Sequence, residues 1–157
     1  IVTDGGRFGG YALFLSPGVA GVRKGKPVFL YNLLDLKRTT WSGPELGEGR
    51  HTIVFDFKSD GPGLGKGGTG VLSVDGKEVA RNSMDHTIPI TFPEDESFDV
   101  GRDTRTGVAM VEYRYDVPFK FTGTINTLTF KLGPTQLTAE DRKQLPAIAD
   151  RVARARD

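Results

Sequence analysis

Residues 119–132, FKFTGTINTLTFKL, carry the clearest hydrophobic periodicity in the sequence. Apolar and polar residues alternate up to Ile125, the phase slips by one residue at Asn126 and Thr127, and alternation resumes up to Leu132. Because a two-residue period cannot absorb an extra residue without a bulge or a bend, the pattern predicts one long strand with a kink. A strand with one polar face is typical of an antiparallel sheet that packs on a second sheet.

Two runs are apolar at nearly every position, residues 11–15 and residues 28–34. Such runs are typical of strands that are covered on both faces, so we expect them near the centre of a sheet. Residues 21–27 are basic and glycine-rich and predict a turn between the two runs.

Residues 53–57 and residues 88–92 place apolar side chains at every second position and predict two further strands. The dipeptide Asp75-Gly76 lies between two more apolar runs and is the strongest short signal for a two-residue type I′ hairpin. The other glycines and prolines are spread as turns between short runs, which favours many short strands.

The C-terminal residues predict helix rather than strand. Thr138 is a helix N-cap candidate, and Asp141 stands where a capping box usually has Glu or Gln. Pro146 cannot donate a backbone hydrogen bond, so we predict a short helical turn followed by a second helix from about residue 146 to about residue 154. The predicted apolar stripe of this tail is Leu145, Ile148 and Val152.

These segments together predict the fold class. With 157 residues, the chain is long enough for one domain with a substantial core. About ten short strands, with turns roughly every 8–12 residues, predict an all-β fold, an antiparallel β-sandwich of jelly-roll type. We assign residues 1–133 to the sandwich and residues 134–157 to a short helical tail.

Composition excludes several classes of protein. Lys and Arg number 21 and Asp and Glu 20, so a formal net charge of +1 gives no reason to expect a nucleic acid or an acidic membrane as partner. The sequence has no cysteine, which excludes disulfides, zinc-thiolate sites and cysteine nucleophiles. Since no apolar run approaches the ~20 residues of a membrane-spanning helix, we expect a soluble domain. Because the sequence starts with Ile and shows no targeting segment, we interpret it as a piece of a longer protein.

The sequence shows no catalytic motif. His51 and His86 lie 35 residues apart, each without a second histidine nearby, so we assign neither a role. A G-x-S-x-G nucleophile elbow is missing from the sequence. A sandwich glycosidase would need a pair of carboxylates, and we favour this alternative least; the available glutamates are Glu45, Glu48, Glu94, Glu96 and Glu112.

Residues 59–68, SDGPGLGKGG, form the longest glycine-rich stretch. It is not a P-loop, because Gly65-Lys66 is followed by two glycines rather than by Ser or Thr and a helix. The simplest interpretation is a connection between two strands with Lys66 at its tip. Its length also favours a contact loop, whose candidate residues are Gly61, Gly63, Leu64, Gly65, Lys66 and Gly67.

A polar loop at residues 102–106 is a second candidate site. Asp103 is a weak calcium candidate, since related sandwiches bind calcium through loop carboxylates, but one or two carboxylates make a weak site. Salt-bridged packing of the loop is the alternative that we favour. Arg102 and Arg105 are candidate contacts with a partner.

Five stretches, taken in order, resemble the C-terminal region of a group of long bacterial arylsulfatases. They are GGRFGGYALFL, KPVFLYNLLDLKRTTW, GLGKGGTGVLSVDGKEVA, FDVGRDTRTGV and PFKFTGTINTLTFKL. The resemblance covers residues 5–132 and implies a concanavalin A-like or laminin G-like sandwich. Sulfatases of this group carry out their chemistry in a preceding α/β domain, where a C/S-x-P-x-R signature yields formylglycine and Asp and Asn side chains hold calcium.

The resemblance therefore implies a non-catalytic accessory sandwich. The nearest match to the signature, residues 42–46, has Leu46 where arginine is required, so we assign no catalytic residue and no cofactor to this chain. The expected partner is the catalytic domain or another protein surface. The alternative is a lectin-like module that holds a glycan, with or without calcium, although the available aromatic residues mostly fit core positions: Tyr11, Tyr31, Trp41, Tyr113 and Tyr115.

Overall fold

The computed structural model describes residues 1–17, 25–89, 96–113 and 115–154. Most of the turn predicted at residues 21–27 lies outside these ranges. The same is true of Ile90 and Phe92, which carry the strand predicted at residues 88–92, and of Glu94. The side chain of Val152, part of the predicted helical stripe, also lies outside the described part.

Within the described residues, ten strands precede one helix. The strands are β1 (Val2–Gly6), β2 (Gly9–Pro17), β3 (Gly25–Leu33), β4 (Lys37–Ser42), β5 (Ile53–Ser59), β6 (Lys66–Val74), β7 (Lys77–His86), β8 (Phe98–Val100), β9 (Arg102–Asp103) and β10 (Phe119–Lys120), and the helix is α1 (Ala139–Arg154).

The strands pair antiparallel throughout the described part of the chain. A large sheet has the order β4-β3-β2-β1-β8, a small sheet has the order β5-β6-β7, and β9 pairs with β10. One apolar core contains side chains from both the large and the small sheet. The predicted antiparallel all-β sandwich with a C-terminal helix is confirmed, whereas the jelly-roll connectivity stays a prediction.

Strands β2 and β3 lie inside the large sheet and are covered on both faces, as the two apolar runs predict. Because side chains alternate along a strand, Leu13 and Phe29 join the core shared with the small sheet. Ala12 and Leu30 point the other way and join a second cluster. These runs lie at the centre because their apolar side chains point to both faces of the sheet, and both faces must be covered.

Trp41 on β4 connects the two sheets. Its side chain is 1% exposed, and its indole Nε1 donates a hydrogen bond of 2.7 Å to the carbonyl oxygen of Gly70 on β6. The indole ring meets the rings of Phe29 and Phe55 edge to face. These two phenylalanines, one from each sheet, stack with ring centroids 3.5 Å apart.

Strand β6 carries glycine where these aromatic rings approach its backbone. A Cβ atom on Gly70 would lie 2.6 Å from a ring carbon of Phe55 and 2.7 Å from a ring carbon of Trp41. The glycines of this strand thus make room for the core. Lys66 and Gly67, predicted to lie in the connecting loop, belong to β6, and the loop is reduced to residues 60–65.

Residues 107–113 cover the opposite face of the large sheet. Val108 and Ala109 are almost completely buried, at 0% and 2% exposed, and they pack with Ala12 and Leu30. An ion pair of 3.3 Å between Arg38 Nε on β4 and Glu112 Oε1 fastens this segment at its far end. The segment is a series of turns, so no regular period in the sequence marks it as a cover.

The hairpin of β1 and β2 was not predicted. The two strands pair from Val2 with Leu13 to Gly6 with Gly9. Gly5 has a φ of +83°, and a Cβ atom there would lie 2.2 Å from the carbonyl oxygen of Gly9. Glycines have no side chain, so a strand that ends in them shows no alternation in the sequence.

The long kinked strand predicted over residues 119–132 is wrong. Only β10 is a strand, and residues 121–132 pair with no strand among the described residues. Phe121, Ile125 and Leu128 are half-buried as the alternation predicts, and Leu128 packs against the core. The alternation also predicts that Phe119, Phe130 and Leu132 face inward, but these are 48%, 49% and 89% exposed. A strand and its burial both require a neighbour, which one segment cannot reveal.

Helix α1 runs through Pro146, so the predicted break is wrong. The capping box is confirmed: the Asp141 N–H donates to Thr138 Oγ1 at 3.0 Å, and the Thr138 N–H donates to Asp141 Oδ2 at 2.7 Å. The proline removes one intrahelical hydrogen bond, whereas the hydrogen bonds of the capped first turn remain. Among the described residues, no helix combines the length and the apolar character needed to cross a membrane.

The predicted hairpin at Asp75-Gly76 is confirmed. Both residues have positive φ, +50° and +79°, as a type I′ turn requires.

His51 Nδ1 lies 2.8 Å from Asp75 Oδ2, and its Nε2 lies 3.1 Å from the Gly47 carbonyl oxygen. Since only the protonated imidazole donates at both nitrogens, the bond to Asp75, assisted by that to Gly47, raises the pKa of His51.

We predict that Gly70→Ala lowers the free energy of unfolding by about 1–3 kcal/mol, because the added methyl group would overlap the rings of Trp41 and Phe55. Urea denaturation measures the change. Gly47→Ala is the matched control, because a Cβ atom on Gly47 meets nothing within 4 Å. Equal stabilities of the two variants would contradict this account of β6.

The His51–Asp75 pair predicts a pH dependence. A histidine whose native pKa is raised contributes stability below its ordinary value of 6.5, and this contribution is lost as pH rises through the raised native pKa. We expect His51→Gln to be more destabilising at about pH 5.5 than at about pH 8.5, with His86→Gln as the control. If urea denaturation gives the same loss of stability for His51→Gln at both pH values, the prediction is wrong.

Candidate functional site

The predicted contact loop packs against the C-terminal part of its own chain. The Gly63 N–H donates a 2.8 Å hydrogen bond to the Gln136 carbonyl oxygen, and the Leu64 N–H bonds the carboxylate of Asp141. Gly61 bonds the side chain of Ser59, and the Gly65 carbonyl accepts from the Thr87 N–H. The loop thus supports the start of α1, and a contact with another protein stays a prediction.

The second predicted region is more ordered than a loop. Arg102 and Asp103 form β9, which pairs with Phe119 and Lys120 of β10. Arg102 is exposed, whereas Asp103 is 6% exposed. Arg105 follows in a bend. The two predicted regions therefore contact different elements: the first lies against α1 and the second against β10.

Asp103 is a buried carboxylate with a single hydrogen-bond donor among the described contacts. The Tyr115 hydroxyl donates to its Oδ2 at 2.7 Å. Burial raises the pKa of Asp103, and the negative charges of Asp99 and Glu96 act in the same direction, against the bond from Tyr115. Burial together with Asp103 also raises the pKa of Tyr115. The contact between Asp103 and Tyr115 is therefore most stable with the Tyr115 hydroxyl protonated.

The neighbouring carboxylates are engaged in local hydrogen bonds. Asp99 Oδ2 accepts from the Thr104 hydroxyl at 2.6 Å, from the Thr104 N–H at 2.9 Å and from the Ser97 hydroxyl at 3.1 Å. Glu96 accepts from the hydroxyl and the N–H of Thr106. Over the described ranges, no three histidines or carboxylates come together as metal ligands. The calcium role of Asp103 stays a prediction without a second ligand.

A cavity of about 130 Å³ lies beside Asp103, on the face of the large sheet that points away from the small sheet. Strands β1 and β2 form its floor, and β9, β10 and the turns before and after β10 form its walls. The lining is mostly apolar and rich in aromatic rings: Ile1, Thr3, Ala12, Phe14, Leu15, Arg102, Asp103, Ala109, Tyr113, Tyr115, Phe119 and Phe121.

The rings of the cavity are fixed by contacts with each other. Phe14 meets Tyr113 edge to face at 5.1 Å between centroids, and Tyr115 meets Phe119 in the same way at 5.3 Å. Sequence reasoning named four residues of this lining as candidates, Arg102, Asp103, Tyr113 and Tyr115, but not the cavity itself. The other lining residues include a segment about 100 positions away that only the folded sheet brings close.

Thr3 on β1 has an unusual environment in this cavity. Its side chain is 7% exposed, and its Oγ1 finds no hydrogen-bond partner among the described residues. A buried hydroxyl without a partner is destabilising by about 1–3 kcal/mol, and most buried polar atoms in proteins are paired. The unpaired Oγ1 therefore lowers the stability of this layer.

A second surface feature lies at the free edge of β8. Phe98 is 50% exposed, Val100 47%, Phe130 49% and Leu132 89%. We call these four residues the edge strip. Phe98 and Phe130 meet with ring centroids 5.7 Å apart. Strand β8 pairs only with β1 in the described part of the chain, so its other side is an unpaired sheet edge next to exposed apolar side chains.

The chain matches no protein-family model, and no curated protein and no solved structure is found to be similar to it.

We predict that removing the charge of Asp103 and removing the charge of Asp99 have opposite effects on the free energy of unfolding. We expect Asp103→Asn to keep or increase the free energy of unfolding at about pH 7, because a carboxylate with a raised native pKa is destabilising once the pH exceeds that pKa. Asp99 differs: burial opposes its ionisation, but the hydrogen bonds from Thr104 and Ser97 outweigh burial and lower its pKa.

Asp99→Asn is the matched comparison. It should lower the free energy of unfolding by about 1 kcal/mol at about pH 7, since charge-assisted hydrogen bonds are replaced by neutral ones. Urea denaturation at about pH 4 and about pH 7 measures both variants. If Asp103→Asn loses much stability at neutral pH and Asp99→Asn loses none, then Asp103 is the stabilising carboxylate and both expectations are wrong.

Proposed function

We propose that this chain is a non-catalytic accessory β-sandwich of a sulfatase-type hydrolase, which packs on the catalytic domain of its parent protein. The ordered resemblance of residues 5–132 to the C-terminal region of long arylsulfatases supports the identity of the parent. The edge strip is the observation that carries the packing role.

The edge strip has the properties of a surface that is covered in a larger assembly. Exposed apolar side chains that lie together mark interaction sites, and an unpaired sheet edge is open to the backbone of a partner. Residues 121–132 keep the alternation of a strand and have no strand neighbour in the described chain. A covering domain would bury the apolar side chains and offer the backbone hydrogen bonds.

Cationic side chains are candidates for the rim of this contact. Arg102 and Lys66 are exposed, and guanidinium and ammonium groups suit a sulfated substrate or an acidic surface of the catalytic domain. Each of them also interacts electrostatically with a carboxylate of its own chain, Arg102 with Asp99 and Lys66 with Asp141.

The double variant Phe130→Ser, Leu132→Ser tests the proposal. With the catalytic domain of the parent gene expressed separately, we expect the variant to weaken association with this chain at least about tenfold, because central apolar contacts each contribute more than about 1 kcal/mol. Titration calorimetry measures the affinity. Leu36→Ser, Val54→Ser is the matched control, since these side chains are also exposed, at 83% and 48%, but lie outside the edge strip.

Three results would overturn the proposal. One is an upstream coding sequence that contains no sulfatase domain. Another is hydrolysis of an aryl sulfate ester by the purified chain alone. The third is saturable glycan binding that a chelator abolishes, which would support the lectin-like alternative, because a packing domain should bind no glycan in either condition.

A further inference from the structure

Strand β8 directs the backbone groups of two residues to its free edge. The Gly101 N–H donates a hydrogen bond of 2.8 Å to the Ile1 carbonyl oxygen, which continues the register of β8 on β1. Because alternate residues of an antiparallel strand bond to the same neighbour, Phe98 and Val100 turn their N–H and C=O groups away from β1. Among the described residues, β1 is the one strand that pairs with β8, so these groups have no ladder partner.

The side chains of Phe98 and Val100 point towards the core. They lie opposite Asp4 and Val2 of β1, and Val2 belongs to the core shared by the two sheets. Residues directly opposite each other in a sheet point to the same face. Phe98 and Val100 are nevertheless 50% and 47% exposed, so the core is incomplete at this edge.

Residues 125–130 run alongside β8 in the opposite direction. Near one end of β8, Ile125 Cδ1 lies 3.8 Å from the position of a Cβ atom built on Gly101. Near the other end, the rings of Phe130 and Phe98 meet with centroids 5.7 Å apart. Residue numbers rise from 125 to 130 along one segment where they fall from 101 to 98 along the other, which is the antiparallel direction.

One register agrees with these contacts. With Phe130 opposite Phe98, Leu128 comes opposite Val100, because paired positions of an antiparallel ladder advance in opposite directions. Leu128 already packs against the core. The side chains of an additional edge strand are therefore in place, whereas no backbone hydrogen bond joins residues 125–130 to β8 among the described contacts.

From this placement we infer that residues 127–131 close on β8 as an additional edge strand of the five-stranded large sheet and compete there with a partner domain. We call residues 127–131 the strap. Closure adds few hydrogen bonds, those between Phe98 and Phe130 and those between Val100 and Leu128, because β8 has only three residues. The entropy of fixing the strap opposes this small gain, so a partner with modest affinity for the open edge displaces the strap.

The two parts of the inference depend on different premises. Closure of the strap depends on the contacts of this chain alone. Competition rests on the proposed function, because it requires a catalytic domain that packs on the edge strip. Phe130 and the free side of β8 contact either the strap's neighbours within the sheet or the partner, and the two arrangements exclude each other.

Amide hydrogen exchange of the whole chain, followed residue by residue by NMR, tests the closure. In the closed register the N–H groups of Leu128 and Phe130 bond to β8, whereas those of Thr127 and Thr129 point away from it. After correction for intrinsic rates, we expect Leu128 and Phe130 to exchange at least about tenfold more slowly than the two threonines. Equal exchange of all these amides overturns the inference.

Two variants and one change of condition serve as controls. Phe130→Ala removes the cross-strand aromatic pair and should bring the exchange ratio close to one. Phe119→Ala, at a residue of similar exposure on β10, should leave the ratio unchanged. A ratio that rises with protein concentration would show pairing with a second copy, and it would overturn closure within one chain.

A reversible disulfide tests the competition, since the sequence has no cysteine of its own. Val100→Cys and Leu128→Cys stand opposite each other in the closed register, where Cα atoms lie about 5.5 Å apart, a distance that a disulfide spans. With the catalytic domain expressed separately, we expect the oxidised double variant to bind at least about tenfold more weakly than the reduced one. Titration calorimetry measures both affinities, and the reduced form is the matched control because the two forms differ only in the bond between the sulfurs.

The outcomes separate this inference from the proposed function. Equal affinity of the oxidised and reduced forms overturns the competition. If the catalytic domain binds neither the wild-type chain nor the reduced variant, the proposed function fails and the competition fails with it. The alternating amide protection at residues 127–130 still decides the closure in that case, because it is measured on this chain alone.

Discussion

The hydrogen bond from the Trp41 indole to the Gly70 carbonyl is the contact on which the sandwich depends. It joins the large sheet to the small sheet at 2.7 Å in the centre of the core, and it satisfies the one polar atom of the largest buried side chain. The stacked rings of Phe29 and Phe55 lie next to it. This close approach is possible only because β6 has no side chain at Gly70.

The other face of the large sheet is covered in a different way. Turns containing Val108 and Ala109 close it, rather than a second large sheet. The cavity lies where this cover meets β9 and β10, and it leaves Thr3 Oγ1 unpaired and Asp103 buried. Buried polar groups of this kind lower the stability of an otherwise apolar layer.

The edge strip and the cavity are neighbours in the fold, because Val100 of the strip lies two residues before Arg102, which lines the cavity. The cavity opens on the outer face of the large sheet, whereas the edge strip lies along β8 and residues 128–132. A sandwich that packs on a neighbouring domain through its edge keeps its outer face accessible.

The sequence by itself determined the fold class, the central position of residues 11–15 and 28–34, the Asp75-Gly76 turn and the capping box of α1, because each depends on local chemistry or on a period within one segment. It did not determine that residues 121–132 have no strand neighbour among the described residues, that Pro146 lies inside a continuous helix, or that the glycines of β6 accommodate Trp41. The cavity also belongs to the tertiary structure, since Thr3, Asp103 and Tyr115 meet only when distant segments pack on one sheet. Local pattern predicts turns, helix caps and runs that are apolar at every position, whereas strand pairing and the burial of an alternating segment depend on which segments pack together.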